Sequence, residues 1–150
     1  MRSETIKKFT SIDTLYLILL TIFTLEMFMV YWINENTKAT RRIKPNKQLI
    51  FLSYSVITFI VFRLIMLLLM GVSPGTVAAV PPTFFEVVNL LHGVCNFLFA
   101  ILLRGSLNRL LGIEPGSKYY FKLIWTILLG PIYINYNINK IKEGEMQAQH

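Results

Sequence analysis

The chain has 150 residues, enough for one domain, of which 54% are hydrophobic and 15% are charged, with a mean hydropathy of +0.54. Because charged residues normally make up about a quarter of a globular chain, this composition excludes an ordinary soluble protein and makes lipid the solvent for much of the surface. The net charge of +7 comes from basic residues between the apolar runs, a pattern that favours anionic lipid headgroups over nucleic acid as the partner.

Four apolar segments approach the roughly 20 residues with which a helix crosses the hydrocarbon core. They cover residues 15–33, 49–71, 84–111 and 119–138, and they predict a single all-α membrane domain over residues 1–150, with no β-sheet.

Residues that start or stop helices stand at the borders of these segments. Asp13 is expected to cap the first helix, and Thr83 with Glu86 fits a capping box at the start of the third. Ser117 is expected to cap the fourth helix, and Gly112 to end the third.

The basic residues allow two arrangements in the membrane. If all four segments span, the first and third loops carry nine Lys and Arg against five on the other side, and both termini lie outside. If the first and fourth segments dip in and return, all fourteen lie on one side, because the loop GVSPGTVAAVPPT has none and is free to meet the outer interface or a partner. Glu26 and Gly130-Pro131 are candidate break points for such dips, whose backbone must be buried in protein. Four spans are the favoured interpretation.

The first and fourth segments resemble each other. The similar stretches are LILLTIFTLEMFMVYWINENTK in the first and KLIWTILLGPIYINYNINKIK in the fourth. Aligning Trp32 with Tyr136 sets Glu26 opposite Gly130. Internal repeats enclose a midplane site in some transporters, but shared composition at the membrane interface is the preferred explanation here.

Three stretches, TLEMFMVYW with its basic Asn-containing linker, LLRGSLNRLLG and LLGPIYINYNINKI, resemble motifs of a group of small bacterial membrane proteins, domain-of-unknown-function family 4234. The resemblance implies a multi-pass protein of the bacterial cytoplasmic (inner) membrane with no assigned activity, and it brings no catalytic residues to carry over. Glu26 stands where the resembled motif has glycine, and Phe28 stands where it has tyrosine.

Two charged residues fall at membrane depth, where a charge costs roughly 2.5 to 3.5 kcal/mol on insertion scales. A neutral Glu26 bonded to a neighbouring helix is favoured over a proton-coupled site, since no polar residues gather around it on its own helix. Arg63 keeps its proton and needs an anion, and its depth below the second loop makes Glu86 the expected partner.

The third segment carries a stripe of polar and small residues within about 120° of the helix surface, at 100° per residue. These residues are Glu86, Asn89, His92, Gly93, Asn96, Ala100 and Arg104. Such a stripe suits a helix–helix seam, in which backbones approach and amides bond across, more than a pore or substrate path.

The basic residues expected to bind anionic headgroups are Lys38, Arg41, Arg42, Lys44, Lys47, Arg104 and Arg109. No catalytic residue, metal or cofactor is predicted, because His92 is the only non-terminal histidine and offers, with Cys95, two metal ligands at most.

The expected function is binding, as an accessory or scaffold subunit for other membrane proteins, or as a self-associating helical bundle. The alternative is a small oligomeric transporter or channel, with Glu26 as the coupling carboxylate and Asn89, His92 and Asn96 lining a path.

Overall fold

The computed structural model describes residues 2–24, 26–72 and 80–147, which form helices and no strand. The helices are α1 (Arg2–Lys7), α2 (Thr14–Phe23), α3 (Met27–Ile43), α4 (Lys47–Val72), α5 (Pro82–Leu110) and α6 (Leu123–Gln147). Most of the uncharged loop between α4 and α5 lies outside the described residues. The predicted all-α class is therefore confirmed for the described part of the chain.

The second and third apolar segments form the long helices α4 and α5, and of the described helices these two are long and apolar enough to cross a membrane. They lie antiparallel, since Lys47 at the start of α4 and Arg109 at the end of α5 line one pocket. We call this end of the molecule the basic end, and the opposite end, where α4 ends and α5 begins, the far end.

The caps of α5 follow the prediction at one end only. Gly112 takes a positive φ of 59° and Ile113 N donates to Asn108 O at 2.9 Å, so the helix stops where expected. Its start differs, because Pro82 occupies the first turn behind Pro81 and no side chain caps the helix. The predicted Thr83–Glu86 capping box is wrong, since proline, whose fixed φ suits this position, starts the helix before Thr83.

The first apolar segment is not one helix, because the chain folds back on itself at Glu26. Asp13 caps α2 as predicted, accepting from Leu15 N at 2.9 Å. After α2, Thr24 Oγ1 accepts from Phe28 N at 3.1 Å and thereby serves the start of α3. The amide of Asn36 then donates to Thr10 O at 3.3 Å, although a continuous helix would hold residues 10 and 36 about 39 Å apart. α2 and α3 therefore form a hairpin, the first hairpin.

The fourth apolar segment turns back in the same way at Gly130, which has the non-helical angles φ 53° and ψ −132° inside α6. Lys122 N donates to Tyr133 Oη at 3.0 Å, and the Tyr119 hydroxyl lies against Gly144, a separation of about 37 Å in a continuous helix. This is the second hairpin. Ser117 does not cap its first arm, because that arm begins only at Leu123.

The two hairpins turn at the positions that the sequence alignment pairs. Glu26 has φ 72° and Gly130 has φ 53°, both in the region that favours glycine. The repeat is therefore present in the backbone as well as in composition. In each hairpin a first helical arm of 7 to 10 residues leads to the turn, and a second arm returns from it. Interfacial composition alone, the preferred explanation from the sequence, does not account for two matching turns.

Asn135 in the return arm of the second hairpin joins the two hairpins. Its amide nitrogen donates to Ile12 O at 2.7 Å, and its carbonyl oxygen accepts from Ile12 N at 3.2 Å and from Trp32 Nε1 at 3.0 Å. Asn135 and Trp32 are fully buried. The open ends of both hairpins consequently meet, and they meet at the basic end.

Other contacts close the basic end around this junction. Lys142 Nζ donates to Phe9 O at 2.8 Å and so ties the residues after α1 to α6, and burial lowers the pKa of Lys142 from its ordinary value. The buried core lies in this half of the molecule, because no described residue of α4 beyond Ile60, and none of α5 before Phe99, is buried. The far half of the α4–α5 pair, beyond Ile60 in α4 and before Phe99 in α5, therefore has no fully buried side chain among the described residues.

Candidate functional site

The two charges predicted at membrane depth bond to each other. Arg63 Nη1 donates to Glu26 Oε1 at 3.0 Å and to Glu26 Oε2 at 3.2 Å, so the turn of the first hairpin is attached to α4. The expected Arg63–Glu86 pair is wrong, because the fold-back of the first segment carries Glu26 alongside Arg63. The predicted bond of Glu26 to a neighbouring helix is present, and Arg63 of α4 is the donor.

The ion pair lies beyond the midpoint of α4, nearer the far end. Arg63 stands nine residues before the end of α4, and His92 stands ten residues after the start of α5, depths of about 14 and 15 Å from the far end. α2, with 10 residues, reaches about 15 Å from the opposite side. The hydrocarbon core of a bilayer is about 30 Å thick, so a bilayer with one boundary at the far end would have its midplane at the level of these groups.

His92 completes a polar cluster with Glu26 and Arg63. It interacts electrostatically with both charges, and its ring lies 6.0 Å from that of Phe59 on α4. Its Nε2 is buried and has no hydrogen-bond partner within the described ranges. We call Glu26, Arg63 and His92 the midplane cluster.

Two clefts open beside the midplane cluster. One, of about 250 Å³, lies between α2 and α4 and has Glu26 and Arg63 in its wall. The other, also of about 250 Å³, lies between α4 and α5 and includes Arg63 and Asn89. Both are open to the surroundings, and the ion pair is partly exposed in the first.

The polar stripe of α5 is divided among several surroundings. Gly93 and Asn96 face a cleft of about 350 Å³ against the turn at Gly130, in which Asn96 Oδ1 is buried without a partner among the described residues. Glu86 and Asn89 are exposed near the far end, and Ala100 is buried. Part of the predicted seam therefore faces the second hairpin, and Asn89 faces α4 across an open cleft.

Arg104, predicted as a headgroup contact, makes bonds within the protein. Its Nε donates to Phe121 O at 2.6 Å and its Nη2 to Tyr120 Oη at 3.1 Å, which holds the loop between α5 and α6. Asn108, one turn further along α5, bonds both the N–H and the C=O of Phe121. Arg104 and Asn108 thus share the carbonyl of Phe121, whose side chain is fully buried.

The remaining predicted headgroup residues are exposed at the basic end. Lys38 pairs with Glu35 at 2.8 Å on the surface of α3. Lys44, Lys47 and Arg109 line a common pocket, and the ion pairs of the described part of the chain involve none of the three. Arg41 and Arg42 lie at the end of α3.

Sequence reasoning missed Asn135, Asn108 and Thr24, which fix the hairpins and the loop. The available signal was the excess of Asn after the aromatic residues of the fourth segment, which is unusual at a lipid-facing position. Comparison with protein-family models, with curated proteins and with solved structures finds no match to this chain.

Proposed function

We propose that the chain is a membrane protein in which α4 and α5 span the bilayer and the two hairpins enter one leaflet from the basic side and return. In this arrangement it acts by binding, as a lipid-shaping scaffold or an accessory subunit for other membrane proteins or for copies of itself. The observation that carries the proposal is the return of both hairpins to the basic end. Two spans replace four in the proposal, since the first and fourth segments are not continuous helices.

The burial of α4 and α5 supports a membrane location. Only 11% of the most apolar window of α4, and 17% of that of α5, is buried inside the protein, whereas the core helix of a soluble protein is mostly buried. The exposed side chains of the far half are large and apolar, among them Leu68, Val72 and Leu90. Lipid satisfies such a surface, and water does not.

The charge distribution supports an orientation with the basic end in the cytoplasm. Fourteen of the Lys and Arg residues belong to segments that gather at the basic end, and the loop at the far end carries none. The positive-inside rule then makes the basic side cytoplasmic, with both termini inside. The family resemblance adds the bacterial inner membrane, and it stays a prediction.

The backbone conformation of Glu26 also bears on the family resemblance. The resembled motif has glycine at this position, where the backbone of the present chain takes the left-handed conformation that glycine adopts without cost. A glycine would therefore suit the same turn, and Glu26 adds a carboxylate for Arg63 to that turn.

The cross-section of the molecule differs between the two leaflets. The basic-side leaflet would hold both arms of each hairpin and half of α4 and α5, and the other leaflet would hold the remaining halves alone. A molecule that is wider in one leaflet than in the other, which we call a wedge, expands the leaflet on its wider side. It therefore favours bilayers that are convex on that side. This shape is the reason for preferring a lipid-shaping scaffold within the class of binding proteins.

Cysteine labelling in intact cells tests the topology. With Cys95→Ala as background, single cysteines at Lys8, Thr83 and Glu143 are expected to react with an impermeant reagent at Thr83 alone. The other two positions should react after permeabilisation, which is the control for accessibility. Labelling of all three from outside would restore four spans and remove the proposed wedge.

Vesicle sorting tests the function itself. The purified chain, reconstituted with the basic end outward, is expected to concentrate severalfold on small, highly curved vesicles over large vesicles of the same lipids. Chain reconstituted in the opposite orientation is the matched control and should avoid the small vesicles, because its wider side then faces the compressed leaflet. Equal densities in all cases would contradict a lipid-shaping role.

A small oligomeric transporter or channel is the second candidate, and the midplane cluster favours it. Groups from three elements meet beside open clefts at the level where transporters with broken helices hold their substrates. In this role Glu26 would couple transport to protons, and Asn89, His92 and Asn96 would line the path. We rank it second because Glu26 is already neutralised by Arg63.

A further inference from the structure

We propose that the basic end holds one anionic phospholipid in a defined site, with its phosphate among Lys44, Lys47 and Arg109 and one acyl chain in the groove between α4 and α5. This inference rests on the membrane location proposed above, but not on the wedge shape. The proposal differs from a general attraction of headgroups to basic residues, because it names one binding site and one class of ligand.

The headgroup part of the site is a pocket of about 320 Å³ between the loop before α4 and the end of α5. Lys44 and Lys47 line one wall, and Ser106 and Arg109 line the other. No carboxylate within the described ranges pairs with any of these cations. Three uncompensated positive charges around one space attract a group with at least one full negative charge, and arginine adds paired donors that match phosphate oxygens.

The acyl part of the site is a groove of about 480 Å³ that begins where the pocket ends. Lys47 and Gln48 line both spaces, so the pocket and the groove adjoin at these residues. The rest of the groove is apolar, lined by Phe51, Leu52, Leu98, Ile101 and Leu102.

The direction of the groove matches that of a lipid in a bilayer. From Arg109 to Leu98, α5 rises about 16 Å from the basic end toward the midplane. A phosphate at the basic end would consequently direct its chain along the helices into the hydrocarbon. Free phosphate would occupy the pocket and leave the groove empty, and this difference distinguishes the two sources of the same anion.

The electrostatic arm of the test compares two double variants with the same change of net charge. Full-length protein is purified from mixed bilayers of phosphatidylglycerol and phosphatidylcholine, and the phospholipid retained by each chain is counted by native mass spectrometry. Lys47→Gln/Arg109→Gln is expected to lower retained phosphatidylglycerol by about tenfold or more. Arg41→Gln/Arg42→Gln, whose arginines lie outside the pocket, should retain the wild-type amount. Equal losses in both would overturn the site in favour of diffuse attraction.

The apolar arm uses two leucines of α5. Leu98→Trp fills the groove and should also lower retention severalfold, whereas Leu90→Trp, on the exposed far half, should not. Wild-type retention in Leu98→Trp, together with displacement of the lipid by inorganic phosphate, would assign the pocket to free phosphate and overturn the proposal. Elution volume and circular dichroism establish folding, and Arg109→Gln alone carries the charge test if the double variant fails to fold. Loss of the lipid leaves the cysteine-labelling pattern intact, so the two proposals fail separately.

Discussion

Replacing Asn135 with leucine is expected to lower the free energy of unfolding by roughly 2 to 6 kcal/mol, the largest effect of any single substitution considered for this chain. Leucine branches at the same carbon as asparagine but has no hydrogen-bonding atoms, so Ile12 N and Trp32 Nε1 would lose their acceptor in a buried place. Each unsatisfied buried donor costs about 1 to 3 kcal/mol. Unfolding in detergent, followed by circular dichroism, measures the change.

Asn137→Leu is the matched control for this experiment. Asn137 is also buried, but among the described residues its amide bonds Tyr133 O of its own helix and no other element, so the expected loss is about 1 kcal/mol or less. A similar loss in both variants would show that the junction between the hairpins does not hold them together.

Breaking the Glu26–Arg63 pair is expected to give the second large effect. Glu26→Gln leaves a permanent positive charge at the midplane, and Arg63→Gln leaves a negative one; each should cost about 2.5 to 3.5 kcal/mol. The double variant Glu26→Gln/Arg63→Gln should recover most of this loss, because replacing both members of an ion pair by neutral groups is often nearly neutral. The coupling free energy of the double-mutant cycle is the quantity to measure.

The same double variant separates the two candidate functions. A scaffold needs the fold and not the charges, so the double variant should sort among vesicles as the wild type does. A proton-coupled transporter needs the carboxylate, so both Glu26→Gln and the stable double variant would carry less proton flux into vesicles than the wild type. Proton flux through the wild type, with none through the double variant, would reverse our ranking of the two functions.

Local signals in the sequence predicted the parts of the fold that depend on few residues. The two uninterrupted apolar runs became α4 and α5 within a few residues, and Asp13 and Gly112 delimit helices where their chemistry suggests. Each of these depends on hydropathy or on a bond to the next turn. The helix caps predicted at Ser117 and Thr83 are absent because neighbouring structure determines where each helix begins. The buried loop at Phe121 delays the start of α6, and Pro82 starts α5 before Thr83.

The partners in the candidate site depend on where the chain reverses, and the sequence allowed more than one place. Glu26 lies 37 residues from Arg63, so their pairing follows only after the first hairpin is known. A glutamate in the left-handed conformation costs roughly 1 to 2 kcal/mol, and neither propensity nor hydropathy signals it. Gly130-Pro131 was recognisable as a break, but a kink within a spanning helix and a full reversal read alike in one sequence.

The proposed topology bears on how the chain enters the membrane. Hairpins that begin and end on the cytoplasmic side require no polar segment to be carried across, however many charges flank them. The only stretch that must cross is the connection between α4 and α5, and residues 73–81 contain no charged side chain. Each charge taken through the hydrocarbon would cost roughly 2.5 to 3.5 kcal/mol, so this chain confines translocation to its least expensive segment. Insertion of the α4–α5 pair would then leave the two hairpins to enter afterwards from the side on which they were synthesised.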